Sequence, residues 1–407
     1  MIIAVAWRNI WRNKMRSLVI ISAITLGIFA GVFSTAFMKG MSDQRIETAI
    51  KSEVSHIQIH REDYRKQDKL KLFLPEASEK VKQIRELPHV QGVSNRIIIN
   101  GMISSAGKGS GVKLNAIVPG HEKKVTDIHE QMIEGSYFKD TPKRVKPLVL
   151  GQKLAEKLNV QLRSRIVVNF TNAQGIPTSA GFRVTGIYKT ANHNFDGMNV
   201  YARYKDLQQP AGLPEGGGHE IAIYLDDKET LSQTKSKIQK MFPEAEVSDW
   251  KDLSPELTYL NEAMDQYMYI IIIIILLALC FGIINTMLMA VLERVKELGM
   301  LMAIGMTRIR VFYMIMMESV FLSLTGGFTG VIVGYVAVKL TAKTGFDLSM
   351  YAEGFQALGW SSQIYPDIDI NTLLNITILV IITGILSSVY PSIKALKLNP
   401  AESIRTE

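Results

Sequence analysis

Four long stretches of the chain carry apolar residues at nearly every position. Ser17 to Phe37 runs 21 residues without a charge; Tyr267 to Leu292 runs 26, with six consecutive isoleucines at 270–275. Val311 to Val338 spans 28 residues with one charge, Glu318, and Asn371 to Ile393 spans 23 with none. About 20 apolar residues cross a hydrocarbon core as a helix, so each stretch predicts a membrane span with room to tilt. The first is longer than the apolar core of a cleaved signal peptide. It also follows an amphipathic segment, 1–16, carrying Trp7 and Trp11. It is therefore expected to remain as a span, although Ser34-Thr35-Ala36 would pass as a cleavage site.

Between the first two runs the periodicity changes. Ile57 and Ile59 alternate with polar residues as in a strand. Pro75-Glu-Ala-Ser opens a helix to about Leu87, with proline and acids in its first turn. Strands are expected at 97–103 and 112–118, with a loop at 107–111, and a helix over His121 to Ile133. Val149–Gly151 reads as a short strand feeding a helix over 152–158. Asn172-Ala-Gln-Gly175 turns a hairpin between 166–171 and 182–190. Residues 219–225, 228–241 and 246–250 read as strand, helix and strand. The fold class is thus a membrane protein: four transmembrane helices and, between the first two, a large α+β extracytoplasmic domain. Two lobes are expected in that domain, split near residues 60–115 and 160–200.

Charge orients this plan. The chain has 407 residues, 21% of them charged, and a net charge of +8. The first 39 residues hold five basic side chains and no acidic one, so the excess is an orientation signal and not a nucleic-acid footprint. Arg8, Arg12, Lys14 and Arg16 precede the first run, and Arg294, Lys296, Arg308 and Arg310 lie between the second and third. Lys394, Lys397 and Arg405 follow the fourth, while Asp347, Glu353, Asp367 and Asp369 mark the loop before it as acidic. By the positive-inside rule both termini are cytoplasmic. The expected organisation is a cytoplasmic amphipathic helix at 1–16, spans at 17–39, 267–292, 311–338 and 371–393, and a periplasmic domain at 40–266. A cytoplasmic loop at 293–310, a short periplasmic loop at 339–370 and a cytoplasmic tail at 394–407 complete it. A single cysteine, Cys280, excludes an intrachain disulfide framework and a multi-cysteine metal site.

Few residues suggest chemistry. Gly107-Lys108-Gly109-Ser110 lacks the spacing of a phosphate loop. His56 and His60, and the pairs His121-Glu122 and His129-Glu130, lack zinc-site spacing and read as solvated surface groups. No catalytic residue and no metal site are expected. The loop ERVKELGMLMAIGMTRIR is more informative: a short helix ended by Gly305. Val295, Leu298, Leu301 and Met302 share one of its faces, for which no soluble core is apparent. That apolar stripe fits either a helix lying on lipid or one docked in a partner's groove. Glu318, about two turns into the third span, is expected to face protein or water. Gly326, Gly330 and Gly334 form a small-residue face for close helix contact.

Three segments carry a resemblance. Ala6-Trp-Arg-Asn-Ile-Trp-Arg-Asn-Lys-Met-Arg-Ser17 is one. Asn285 to Gly299, continuing through Ala303-Ile-Gly-Met-Thr-Arg308 to Glu318-Ser319, is the second. Tyr390-Pro391 with Asn399-Pro-Ala-Glu-Ser-Ile-Arg405 is the third. Together they resemble the FtsX-like, MacB-type permeases of ABC transporters. Ser55-His-Ile-Gln-Ile59, Gly135-Ser-Tyr-Phe138, Leu150-Gly-Gln-Lys-Leu-Ala155 and Val184-Thr-Gly-Ile-Tyr188 resemble the lipoprotein-releasing (LolC/LolE) branch. Arg163-Ser164 departs from the branch, where a Gly-Asp turn is usual.

The resemblance implies that Glu293, Arg294, Glu297, Leu298, Gly299, Leu301, Ala303 and Gly305 form a coupling helix seated on a separate cytoplasmic ATPase. It implies no cofactor in this chain, ATP and magnesium lying on that partner, and hence no enzymatic activity here. A second permease protomer, in a homo- or heterodimer joined through the first and second spans, is implied as well. So are a location in the bacterial inner membrane and mechanical transmission of the ATPase stroke to the periplasm. Contact with membrane lipid and with a lipoprotein or its periplasmic carrier follows, and nucleic acid does not. Lipoprotein release is the expected work. Efflux of peptides or drugs, and FtsX-like control of a periplasmic hydrolase, remain as alternatives.

Overall fold

The computed structural model describes residues 2–67, 69–138 and 145–396. The chain divides into two units: 1–42, 261–347 and 363–407 form the first, and 43–260 with 348–362 the second.

The first unit is built on four long apolar helices, Lys14–Ala49, Pro255–Glu293, Arg308–Thr344 and Ile370–Leu396, the first of which continues as a wide π-helical turn, Ile50–Val54. At 1.5 Å per residue the first three measure roughly 54–58 Å, well beyond a hydrocarbon core of about 30 Å. The helices overrun their apolar runs because nothing in Asp43–Ala49 or in the segment after Pro255 breaks the backbone ladder. Proline at the first position of the second helix costs no hydrogen bond. The small-residue face has a defined use. A methyl at Gly326 would lie 2.8 Å from Ile24 Cβ, at Gly330 2.8 Å from Ile28 Cβ, and at Gly334 3.0 Å from Val32 Cβ. The third helix therefore packs backbone-close on the first, and Thr25 Oγ1 donates to the Gly326 carbonyl at 3.2 Å.

The second unit is an α+β domain on a ten-stranded sheet. Its strands are β1 (Ile57–Arg61), β2 (Val90–Ser105), β3 (Lys108–Ile117), β4 (Met132–Gly135) and β5 (Pro147–Gly151), then β6 (Arg165–Thr171), β7 (Pro177–Tyr188), β8 (Asn199–Arg203), β9 (Glu220–Leu225) and β10 (Ala245–Asp249). The order is β10-β1-β9-β2-β3-β8-β5-β7-β4, with β6 against β2 and β7. Two hydrophobic cores lie along it. One gathers Ile57, Ile59, Val81, Ile84, Val93, Ile223 and Ile238; the other gathers Ile99, Leu114, Leu150, Ile166, Phe182 and Val200.

The expected split near 60–115 and 160–200 is corrected. β2 is a single 16-residue strand whose first half pairs β9 and whose second half pairs β3 and β6, so both cores share it and no linker divides them. The expected helix over His121–Ile133 shrinks to Pro119–Glu122. The Glu122 carboxylate turns inward to Arg96, and the chain beyond it continues as turns that bury Val125 and Ile128. The histidines are corrected too. His56 and His60 are 1% and 3% exposed, because β1 lies between β9 and β10 and is covered on both faces. His121 and His129 are half-buried. Among the described residues no cluster suits a metal ion.

Candidate functional site

The second and third long helices are joined by a short helix, Val295–Ala303. The chain breaks at Arg294 (φ −108°, ψ 16°) and the short helix stops at Gly305, φ +105°, where Met306 N–H closes on the Leu301 carbonyl at 3.0 Å. Glycine adopts that left-handed conformation without the Cβ clash other residues suffer.

The faces of this helix differ from the sequence expectation. Leu298 is 5% exposed and sits in the core with Met287, Val291, Met314 and Ile315, while Gly299 is buried and Leu301 and Met302 pack partly against that core. Three of the four stripe residues, Leu298, Leu301 and Met302, thus face their own helices. The core they enter is made by the ends of the flanking long helices, which no local pattern reveals. The outward face carries Lys296, Glu297, Met300, Ala303 and Ile304, with Met300 52% and Ile304 86% exposed. The sequence expectation set Leu298 and Leu301 among the residues of a partner-facing stripe and did not single out Met300 and Ile304, which the structure leaves exposed. The available signal was their position on the opposite side of the same helical wheel.

Charged residues tie this helix to its surroundings. Arg294 Nη1 donates to Glu318 at 3.2 Å and its Nε donates to Glu297 at 3.2 Å. Arg12 pairs with Glu297, and Arg16 with Glu293. The Arg12 hydrogen bond holds the Glu297 carboxyl below its ordinary pKa. Glu318 lies with Arg294 and Leu298 around one small cavity. The N-terminal helix, Ile2–Arg12, buries Ala6 and Ile10, and sets Trp7 edge-on to Phe321 at 5.6 Å. Residues 397–407, which hold Asn399–Arg405 of the resemblance, lie outside the described residues.

Between the first and second long helices runs an apolar groove of about 360 Å³, lined by Val19, Ala23, Gly27, Ile275, Leu279 and Gly282 among others.

The α+β domain has its own charged centre. Arg96 on β2 is fully enclosed, with Nη2 2.6 Å from Glu122 and Nη1 2.5 Å from Glu220. Burial alone would depress its pKa, but the two carboxylates outweigh burial and hold it above the ordinary value. Burial would likewise raise Glu220, yet Arg96 holds it well below the usual carboxylate range. His60 Nε2 lies 3.4 Å from Glu220. His56 accepts the Leu225 N–H on Nδ1 at 3.1 Å, and burial lowers its pKa to about 4. With both of its carboxylates bonded to a fully enclosed arginine, this centre reads as structural.

Four long apolar helices, a cationic N-terminal segment and a large α+β domain inserted after the first helix define a multi-span membrane protein with a large extramembrane domain. A model of the MacB-like periplasmic core domain matches residues 17–241, and one of the FtsX-like permease C-terminal region matches 269–400. The chain belongs to this family of MacB-type, FtsX-like ABC transporter permeases. It is 25% identical over 323 residues to the lipoprotein-releasing system transmembrane protein LolC of Neisseria meningitidis, covering 75% of this chain and 76% of that one. It is 24% identical over 364 residues to the ABC transporter permease YvrN of Bacillus subtilis, covering 82% and 80%. It is 26% identical over 227 residues to the macrolide export ATP-binding/permease protein MacB of Bdellovibrio bacteriovorus, covering 55% of this chain and 30% of that one.

Proposed function

We propose that the chain is the transmembrane subunit of an ABC transporter that extracts and releases lipoproteins from the bacterial inner membrane. Both termini and the short helix Val295–Ala303 face the cytoplasm, and the α+β domain faces the periplasm. A separate ATPase, holding ATP and magnesium, seats the short helix, and a second permease protomer completes the transporter. ATP-driven motion of the short helix passes along the long helices to the periplasmic domain. The observation that carries the coupling role is the outward pair Met300 and Ile304, two apolar side chains left without cover on a helix otherwise fastened to its neighbours. An apolar groove of about 360 Å³ between the first and second helices, and the likeness to LolC, favour a lipid-anchored substrate.

Depletion of the protein should strand outer-membrane lipoproteins in the inner membrane, read by fractionation. An unchanged lipoprotein distribution with raised sensitivity to macrolides or peptides would replace release by efflux. Altered cell-wall hydrolysis with both unchanged would point to control of a periplasmic hydrolase.

A further inference from the structure

Four charged residues around the short helix, Arg12, Glu297, Arg294 and Glu318, form a continuous string, with Arg16–Glu293 a separate pair. Arg12 on the N-terminal helix pairs with Glu297 on the short helix. Arg294, at the break before the short helix, bonds Glu297 through Nε and Glu318 on the third long helix through Nη1, at 3.2 Å each. Arg16, at the start of the first long helix, pairs with Glu293 at the end of the second. Exposure falls along the string. Arg12 and Glu297 are 56% and 48% exposed, whereas Arg294 and Glu318 are 19% and 13%. The outer pair is screened by water and contributes little, whereas either inner partner left alone would keep a charge in a poorly hydrated site.

Glu318 lies eight residues past Arg310, roughly 12 Å along a stretch of helix with no other charge. A carboxylate there needs a partner. The one it has belongs to the single residue at which the second helix ends and the short helix begins. Arginine suits that place because its planar fork serves two carboxylates at once, which a lysine ammonium on a flexible stem does not hold in a fixed orientation.

From this geometry we infer that Glu318 is a positioning residue: through Arg294 it sets the orientation of the short helix against the third span. Arg12 ties the N-terminal helix to the string through Glu297, and Arg16 joins the first span to the end of the second by a separate pair with Glu293. The short helix and the third span therefore move as one body, so a push on Met300 and Ile304 reaches the third span directly, while the exposed Arg12–Glu297 pair adds a weaker tether to the N-terminal helix. The purpose of that push rests on the coupling role proposed above; the rigidity does not.

The test uses the full chain in lipid nanodiscs, with Cys280→Ser as background. Spin labels at Ala303→Cys and Leu324→Cys report the short helix against the third span, and labels at Arg8→Cys and Ala303→Cys report the N-terminal helix against the short one. Pulsed dipolar distances should be narrow for both pairs. Glu318→Gln and Arg294→Lys should at least double the width of the first distribution, and Glu318→Asp should keep it within a third of the parent. Arg12→Gln should broaden only the second. Loss of monodispersity in Glu318→Gln would leave Arg294→Lys and Arg12→Gln to carry the decision. Narrow first distributions in both Glu318→Gln and Arg294→Lys overturn the inference, whatever the ATPase does. Broadening as stated, in a protein whose parent binds no ATPase, supports the positioning role and overturns the coupling one.

Discussion

Substitutions on the two faces of the short helix should separate docking from folding. Met300 and Ile304 are 52% and 86% exposed, and Leu298 on the opposite face is 5% exposed. Burying a large apolar side chain is worth about 1.5–3 kcal/mol. Covering Ile304 fully and the open half of Met300 in a partner's groove should then supply roughly 3 kcal/mol, about 150-fold in Kd at 1.4 kcal/mol per tenfold. Met300→Ser with Ile304→Ser should weaken ATPase binding by that order and leave unfolding unchanged, since neither side chain enters a core. Leu298→Ala removes a side chain packed among Met287, Val291, Met314 and Ile315, and should lower stability by about 2–5 kcal/mol. The assay measures the affinity of the solubilised full chain for its separately purified cognate ATPase, alongside denaturant unfolding of the same samples. Two results would refute the assignment of faces. One is an affinity within twofold of the parent for the serine pair. The other is a large loss of affinity in Leu298→Ala with unfolding unaltered.

Other outcomes follow from the α+β domain. Arg96→Met should destabilise it by about 3–5 kcal/mol by stranding two buried carboxylates, and adding Glu122→Leu and Glu220→Leu should recover most of that loss; equal unfolding midpoints for the single and triple variants would contradict this. Arg163 is exposed and adopts φ +69°, a conformation that costs a non-glycine residue about 1–2 kcal/mol. Its backbone donates to the Val184 carbonyl and not through the side chain, so Arg163→Gly should raise stability by about 1 kcal/mol, seen as a higher unfolding midpoint. His56 has a native pKa of about 4 against an ordinary 6.5, so the unfolded chain binds the proton more readily. Its contribution is intact above pH 6.5 and is lost as pH falls towards 4, by up to about 3 kcal/mol. Measured as stability against pH, His56→Asn, which keeps an acceptor for the Leu225 N–H, should flatten that acid limb, and a parallel curve would rule it out.

The tight turn at Arg163 shows how far local pattern reaches. Its departure from the usual glycine was visible as a residue, but the left-handed backbone that makes it matter is visible only in the folded chain. The hairpin at Asn172–Ile176 was legible because its cause is local: Asn172 Oδ1 accepts the Gln174 and Ile176 N–H groups at 3.0 and 2.9 Å. The sharing of β2 between two cores was not, because pairing with β9 joins residues about 130 positions apart.

By itself the sequence determined the four apolar helices, the excess of basic residues at the N-terminus, the α+β character of the domain and the glycine stop at 305. Each rests on residues within one or two helical turns, or on composition averaged over a run. Only the tertiary structure decided which way the short helix faces, that Glu318 meets Arg294, and that Gly326, Gly330 and Gly334 admit the first helix. It also decided that two histidines on an apparently solvated strand are enclosed. Those outcomes depend on which surfaces remain to be covered once distant segments meet. An amphipathic helix announces that it has an apolar face, but its neighbours decide whether that face is spent inside the protein or left for a partner.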